Sequence, residues 1–223
     1  MRASALLNSD ARGLLTDNEN VVGEITVGGT LALVIFLGIF GGFVCGTVWV
    51  LVREWLPQSM RLRVASTGGL AMLTGSSLVI NSQNPDFRLL DPQEIHIVMF
   101  VLLVGLTGSA IPVLDGYLKP RIPSTGTAAA IFGGLAGFGL ILAFPLLVFS
   151  FFSDQDQNPS ALAGFGLIAV AVATITVWVR YYASGESEFP ARPLWLRRFG
   201  VASVVAFAVA GGIHLFGEIE AII

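Results

Sequence analysis

Residues 127–152 read TAAAIFGGLAGFGLILAFPLLVFSFF, 26 positions without one charged side chain. A helix rises ~1.5 Å per residue, so about 20 such residues cross a hydrocarbon core ~30 Å thick. Lipid offers no hydrogen-bond partner to an exposed backbone, so a run of this kind is stable there only as a helix. Five further runs come close: Ile25 to Val52, Val64 to Ile80, Ile95 to Leu114, Ala161 to Val179 and Phe199 to Phe216. The sequence therefore predicts an all-α, polytopic transmembrane helical bundle of about six spans. The second run is the weakest, being short and diluted by Ser66, Thr67, Thr74, Ser76 and Ser77. It reads either as a crossing or as a re-entrant or protein-buried helix, and five spans is the fallback count.

Composition points the same way. Of 223 residues, 54% are hydrophobic and 12% charged, with mean hydropathy +0.79; a soluble domain carries roughly 25% charged residues. The net charge of −3 leaves no basic excess to neutralise phosphates, which argues against a nucleic-acid partner. Cys45, the single cysteine, has no intramolecular disulfide partner and reads as a small apolar residue. No Walker, paired-cysteine, HExxH or Rossmann pattern occurs.

Residues 1–24 carry Asp10, Asp17, Glu19 and Glu24 and lack the apolar core of a signal peptide, so they read as a polar tail. Residues 25–217 form the membrane domain and 218–223 a short C-terminal tail. The longest connection, Arg180 to Arg198, is too short for a soluble domain.

Nine of the twelve basic residues fall in alternate loops: Arg53, Arg61 and Arg63, then Lys119 and Arg121, then Arg180, Arg192, Arg197 and Arg198. The other side collects Asp86, Asp91, Glu94, Asp154, Asp156, Glu218 and Glu220. Loops rich in Lys and Arg stay cytoplasmic, which places both termini on the non-cytoplasmic side. All seven Trp and Tyr residues (Trp49, Trp55, Tyr117, Trp178, Tyr181, Tyr182 and Trp195) flank the arginine-rich loops, as expected of rings that favour a headgroup region.

Small residues at four-residue spacing let helix backbones approach closely where lipid supplies no hydrophobic drive. The first run carries Gly38, Gly42 and Gly46; the fourth Ala129, Gly133 and Gly137; the sixth Ala202, Ala206 and Ala210. They read as helix-packing faces, used within the chain or against a partner subunit or second copy.

No Asp, Glu, Lys or Arg lies inside the six runs, which disfavours ion-coupled transport through a carboxylate relay. The candidate ligand or metal residues are His214 and Glu218, spaced i, i+4 so that imidazole and carboxylate can meet. His214 continues the Ala202, Ala206, Ala210 series and is expected to face the interior. A bis-histidine site with His96 is disfavoured, because His96 points away from the small-residue face of its helix, Gly105, Gly108 and Ser109. Ser76 and Ser77 invite comparison with an intramembrane serine hydrolase, but hydroxyls that satisfy helix backbone are the plainer reading. No catalytic residue and no cofactor are expected.

The loop from Asn81 to Glu94 offers Asp86, Arg88, Asp91 and Glu94 as a docking surface, or else as helix-start architecture with Asp91 as N-cap and Pro92 at the first helical position. At the arginine-rich end, Asp115 stands unfavourably at a helix C-terminus and is expected to clamp onto Arg53, Arg180 or Lys119. Pro112 and Pro145 are expected to kink their helices. Three classes of function remain: a non-catalytic membrane subunit or scaffold, a small transporter or channel for a neutral or apolar solute, and an intramembrane enzyme or metal or haem site using His214. The first leads.

Overall fold

Thr26 starts the first helical run. Its hydroxyl accepts the Gly29 amide at 3.0 Å, satisfying one of the N–H groups that a helix start leaves orphaned. The chain then forms α1 (Val27–Ala32), a π-helical stretch (Leu33–Phe40) and α2 (Gly41–Val52). Ser59 plays the same part for α3 (Met60–Leu70), which passes into a π turn (Ala71–Gly75) and a 3₁₀ turn (Ser76–Leu78). Four long helices follow: α4 (Gln93–Leu118), α5 (Gly126–Phe152), α6 (Ala161–Ser184) and α7 (Leu194–Ile222). This computed structural model describes residues 13–14, 21–22, 24–84, 87, 92–123, 125–152, 161–184 and 193–223. Among them helix is the only regular structure beyond isolated bridges and turns, and the chain is an all-α helical bundle.

The expected count of about six spans needs correction. Four helices, α4 to α7, are uninterrupted and long and apolar enough to cross a membrane. The first two runs are broken by π segments, where i→i+5 bonding replaces the α ladder. In the second run Thr67, Thr74 and Ser77 donate their hydroxyls to the carbonyls of Arg63, Leu70 and Thr74. Thr107 and Thr176 make the same bond within the unbroken α4 and α6, so the hydroxyls alone do not account for the break.

The helices also outrun the apolar segments that announced them. Pro92 occupies the N-cap position of α4 in extended conformation, one residue later than the Asp91-Pro92 reading places the start. Both α4 and α5 continue through Pro112 and Pro145. The last helix runs to Ile222 and takes in the expected C-terminal tail. Before α1, the Gly13 amide bonds to the Val22 carbonyl and the Val22 amide to the Leu14 carbonyl, so part of the expected tail is clipped onto itself.

Glycine positions the second run. A Cβ on Gly108 of α4 would stand 2.3 Å from Ala71 Cβ and 2.9 Å from the Thr67 carbonyl. One on Gly105 would enter Met72, and one on Gly211 of α7 would meet the Leu73 carbonyl at 3.0 Å. At one end Met60 reaches Gly116; at the other, Ile80 packs with Ile97 and Leu215. The stretch from Met60 to Ile80 thus lies along α4, with α7 against it from Leu73 onward.

The main core forms around α6, with Ala163, Leu167 and Val170 fully buried against Trp49, Val52, Trp55 and Phe207. This divides the expected aromatic belt. Trp195 and Tyr117 are exposed, but Trp49 and Trp55 are core residues. Their ring area is buried against neighbouring helices rather than at an interface.

Candidate functional site

Glu218 and His214 are brought together near the end of α7. Glu218 Oε1 lies 4.0 Å from His214 Nε2, with both side chains about four-fifths shielded. The other oxygen, Oε2, accepts the backbone N–H of Ser82 at 2.6 Å. The carboxylate therefore clasps the chain just past the second run onto α7, and the imidazole stands at its open side. A charge-assisted bond to a backbone amide is stronger than a neutral one, so this clasp fixes the exit of the second run.

His214 does not reach this place by continuing one buried stripe. A step of four residues turns 400°, so the series Ala202, Ala206, Ala210, His214, Glu218 sweeps ~160° around α7. Ala202 and Ala206 are exposed and Ala210 is buried. Ser203, Val204 and Phe207 take the buried positions over the first half of the helix.

His96 stands apart from this pair. Its Nδ1 lies 2.9 Å from the Pro92 carbonyl at the start of α4, and its Nε2 is shielded without a hydrogen-bond partner. Glu94 is exposed in the first turn of α4. Asp86, Arg88 and Asp91, the rest of the expected docking loop, lie outside the described residues. Phe87, between them, packs edge-on against Phe100 at 6.1 Å. Among the described residues no group of three His, Cys, Asp or Glu side chains is placed to hold a metal ion.

At the arginine-rich end the structure does not bring the expected clamp together. Arg53 Nε faces its neighbour Glu54 at 3.7 Å, and no ion pair joins Asp115 to Arg53, Arg180 or Lys119. Arg121 instead lies over the Tyr117 ring, 3.6 Å from its centroid, and donates to the Tyr117 carbonyl. Its long side chain folds back over the preceding turn rather than across to another helix.

The serine pair divides. Ser77 donates to the Thr74 carbonyl at 2.8 Å, whereas Ser76 is fully buried with no partner for its hydroxyl. His214 is not hydrogen-bonded to either, so the arrangement of a base touching a nucleophile is not formed.

The expected packing glycines are also placed unexpectedly. No described atom beyond the helix's own backbone comes within 4 Å of a Cβ built on Gly38, Gly42, Gly46, Gly133 or Gly137. The two helices that carry them meet elsewhere, where Phe43 of α2 fills the space over Gly139 of α5. Along Val27–Phe40 no described residue is buried, and α5 has none before Gly139.

One buried polar node escaped the sequence reading. The Trp55 indole donates to Thr174 Oγ1 at 2.9 Å, and Thr174 donates in turn to the Leu51 carbonyl at 2.7 Å. The Trp55 ring also lies flat on Gly200, where an added Cβ would stand 2.2 Å away. This node ties the end of α2 to α6 and α7. Thr174 was its visible signal, one of two mid-helix hydroxyls in α6, the other being Thr176.

Geometry and composition together define a bundle of apolar helices suited to a lipid environment, as in an integral membrane protein. No protein family, curated protein or solved structure matches the chain.

Proposed function

We propose that the chain is a non-catalytic membrane subunit, seating partner helices from another subunit or a second copy on its open glycine faces. The observation that carries this reading is the bare surface at Gly38, Gly42 and Gly46 and at Gly133 and Gly137. A glycine ridge gives lipid chains little to pack against, but lets another helix approach to backbone contact. Elsewhere in this molecule the same residue is used in just that way, at Gly108 and Gly211.

In this reading α4 to α7 cross the membrane, the two broken runs are held within the bundle, and both termini are non-cytoplasmic. The length of the four apolar helices supports the first point, and the gathering of arginines in alternate loops supports the last.

Purification in a mild detergent at native expression level, with mass spectrometry of what co-elutes, tests it. The wild type is expected to elute with a stoichiometric partner or as a multimer, and Gly42→Leu or Gly137→Leu to elute without it. A wild-type protein that runs as a lone, monodisperse monomer would sink the proposal.

A further inference from the structure

Between α3 and α7, at the arginine-rich end of the bundle, runs a partly open apolar groove of about 250 Å3. Trp55 and Pro57 line it from the connection that precedes α3. The α3 wall is Ser66, Gly69 and Leu70, and the α7 wall is Val201, Val204 and Ala208. Helical spacing then places one arginine on each wall. Ser66 and Leu70 follow Arg63 at i+3 and i+7; Val201, Val204 and Ala208 follow Arg197 at i+4, i+7 and i+11. Residues so spaced share a helix face, so Arg63 and Arg197 sit one turn beyond the groove, at its mouth.

Arg63 is held in place. Its Nε donates to the Pro57 carbonyl at 3.0 Å and its Nη2 to Gln58 Oε1 at 3.1 Å. Arg197 is exposed, as is its neighbour Arg198. Both helices begin here, so the positive ends of their dipoles add to these three guanidinium groups.

Size selects the occupant. From Arg197 to Ala208 the helix rises ~16 Å, about half of a ~30 Å hydrocarbon core, which is the depth of one leaflet. The groove itself spans the ~10 Å from Val201 to Ala208, and a volume of about 250 Å3 over that length leaves a channel roughly 5.5 Å across. A helix with its side chains needs ~10–12 Å; a single hydrocarbon chain, with carbon contacts at ~4 Å, fits.

We propose that this groove is a binding site for an anionic phospholipid, with one acyl chain lying between α3 and α7 and the phosphate held by Arg63 and Arg197. The site is independent of the subunit reading above.

Native mass spectrometry of the full-length protein, exchanged from detergent containing equimolar phosphatidylglycerol and phosphatidylcholine, tests it. The wild type is expected to retain one phosphatidylglycerol in preference to phosphatidylcholine. Arg63→Gln with Arg197→Gln should lose that preference, by about fivefold per charge removed. Gly69→Leu should lose the retained lipid altogether; its Cβ position meets no other atom within 4 Å, so the leucine fills the groove without a backbone clash. The melting temperature of each variant shows that it is folded. Equal retention of the two lipids by the wild type would overturn the proposal. So would undiminished phosphatidylglycerol binding in folded Gly69→Leu, which would mean surface electrostatics without a groove. A protein copy found in place of lipid would overturn it as well.

Discussion

Where α3 and its π turn meet α4 and α7, glycine brings backbones together. Where the first run passes α5, the same residue faces none of the described residues at Gly42 and Gly137. Gly108 has Ala71 and the Thr67 carbonyl inside the space a methyl group would need, while Gly42 and Gly137 have no neighbour within 4 Å. A small-residue ridge is thus a permission for close approach, and what matters is which ridge found its partner inside the fold. The tight region is closed business for this protein; the open one is where another molecule is expected.

The sharpest way to break the comparison is to fill both kinds of site. Gly108→Leu should destabilise the protein by about 3 kcal/mol, toward the upper end of overpacking costs, because backbone and not a flexible side chain must move. Thermal melting of the detergent-solubilised protein reads this, and an unchanged midpoint would mean that α3 and α4 do not meet there. Thr174→Val removes the hydroxyl that serves both the Trp55 indole and the Leu51 carbonyl, so two buried hydrogen bonds are lost. A loss of about 2 kcal/mol is expected, measurable in the same melt. Glu218→Gln keeps an acceptor for the Ser82 amide but removes its charge, for a loss of about 1 kcal/mol. Faster hydrogen exchange at the Ser82 amide is the corresponding local readout. Smallest of all, Gly42→Leu and Gly137→Leu should shift monomer melting by less than ~0.5 kcal/mol, as exposed substitutions do. If either matched Gly108→Leu, the open ridges would be packed after all and the contrast would fail.

The helices were legible because a long apolar run has one stable form in lipid, and length alone then counts residues per crossing. The π segments were not, since a shift from i→i+4 to i→i+5 bonding leaves the apolar content of a run unchanged, and Leu33–Phe40 reads as an ordinary apolar helix. The packing stripes were half legible. Four-residue spacing announces a ridge, but the drift of 40° per step carries Ala202 and Ala206 away from the buried face that Ala210 reaches. For the candidate site, i, i+4 spacing was enough to bring His214 toward Glu218, whereas Ser82 lies 136 residues from Glu218 and carries no pattern that points there. The Trp55–Thr174 bond spans 119 residues and was invisible for the same reason.

The second run also sets a timetable. It lies between α4 and α7, and its contacts with Gly211 and Gly212 come from residues made about 130 positions after Ile80. At roughly 5–20 residues per second of synthesis, one face of this hydroxyl-bearing run stands uncovered for about 7–26 s before its permanent neighbour exists. A chain cut short before α7 would keep the first of those neighbours and never gain the second. The enclosure of the second run is therefore decided late, by whether α7 arrives to cover a segment made about 130 positions earlier.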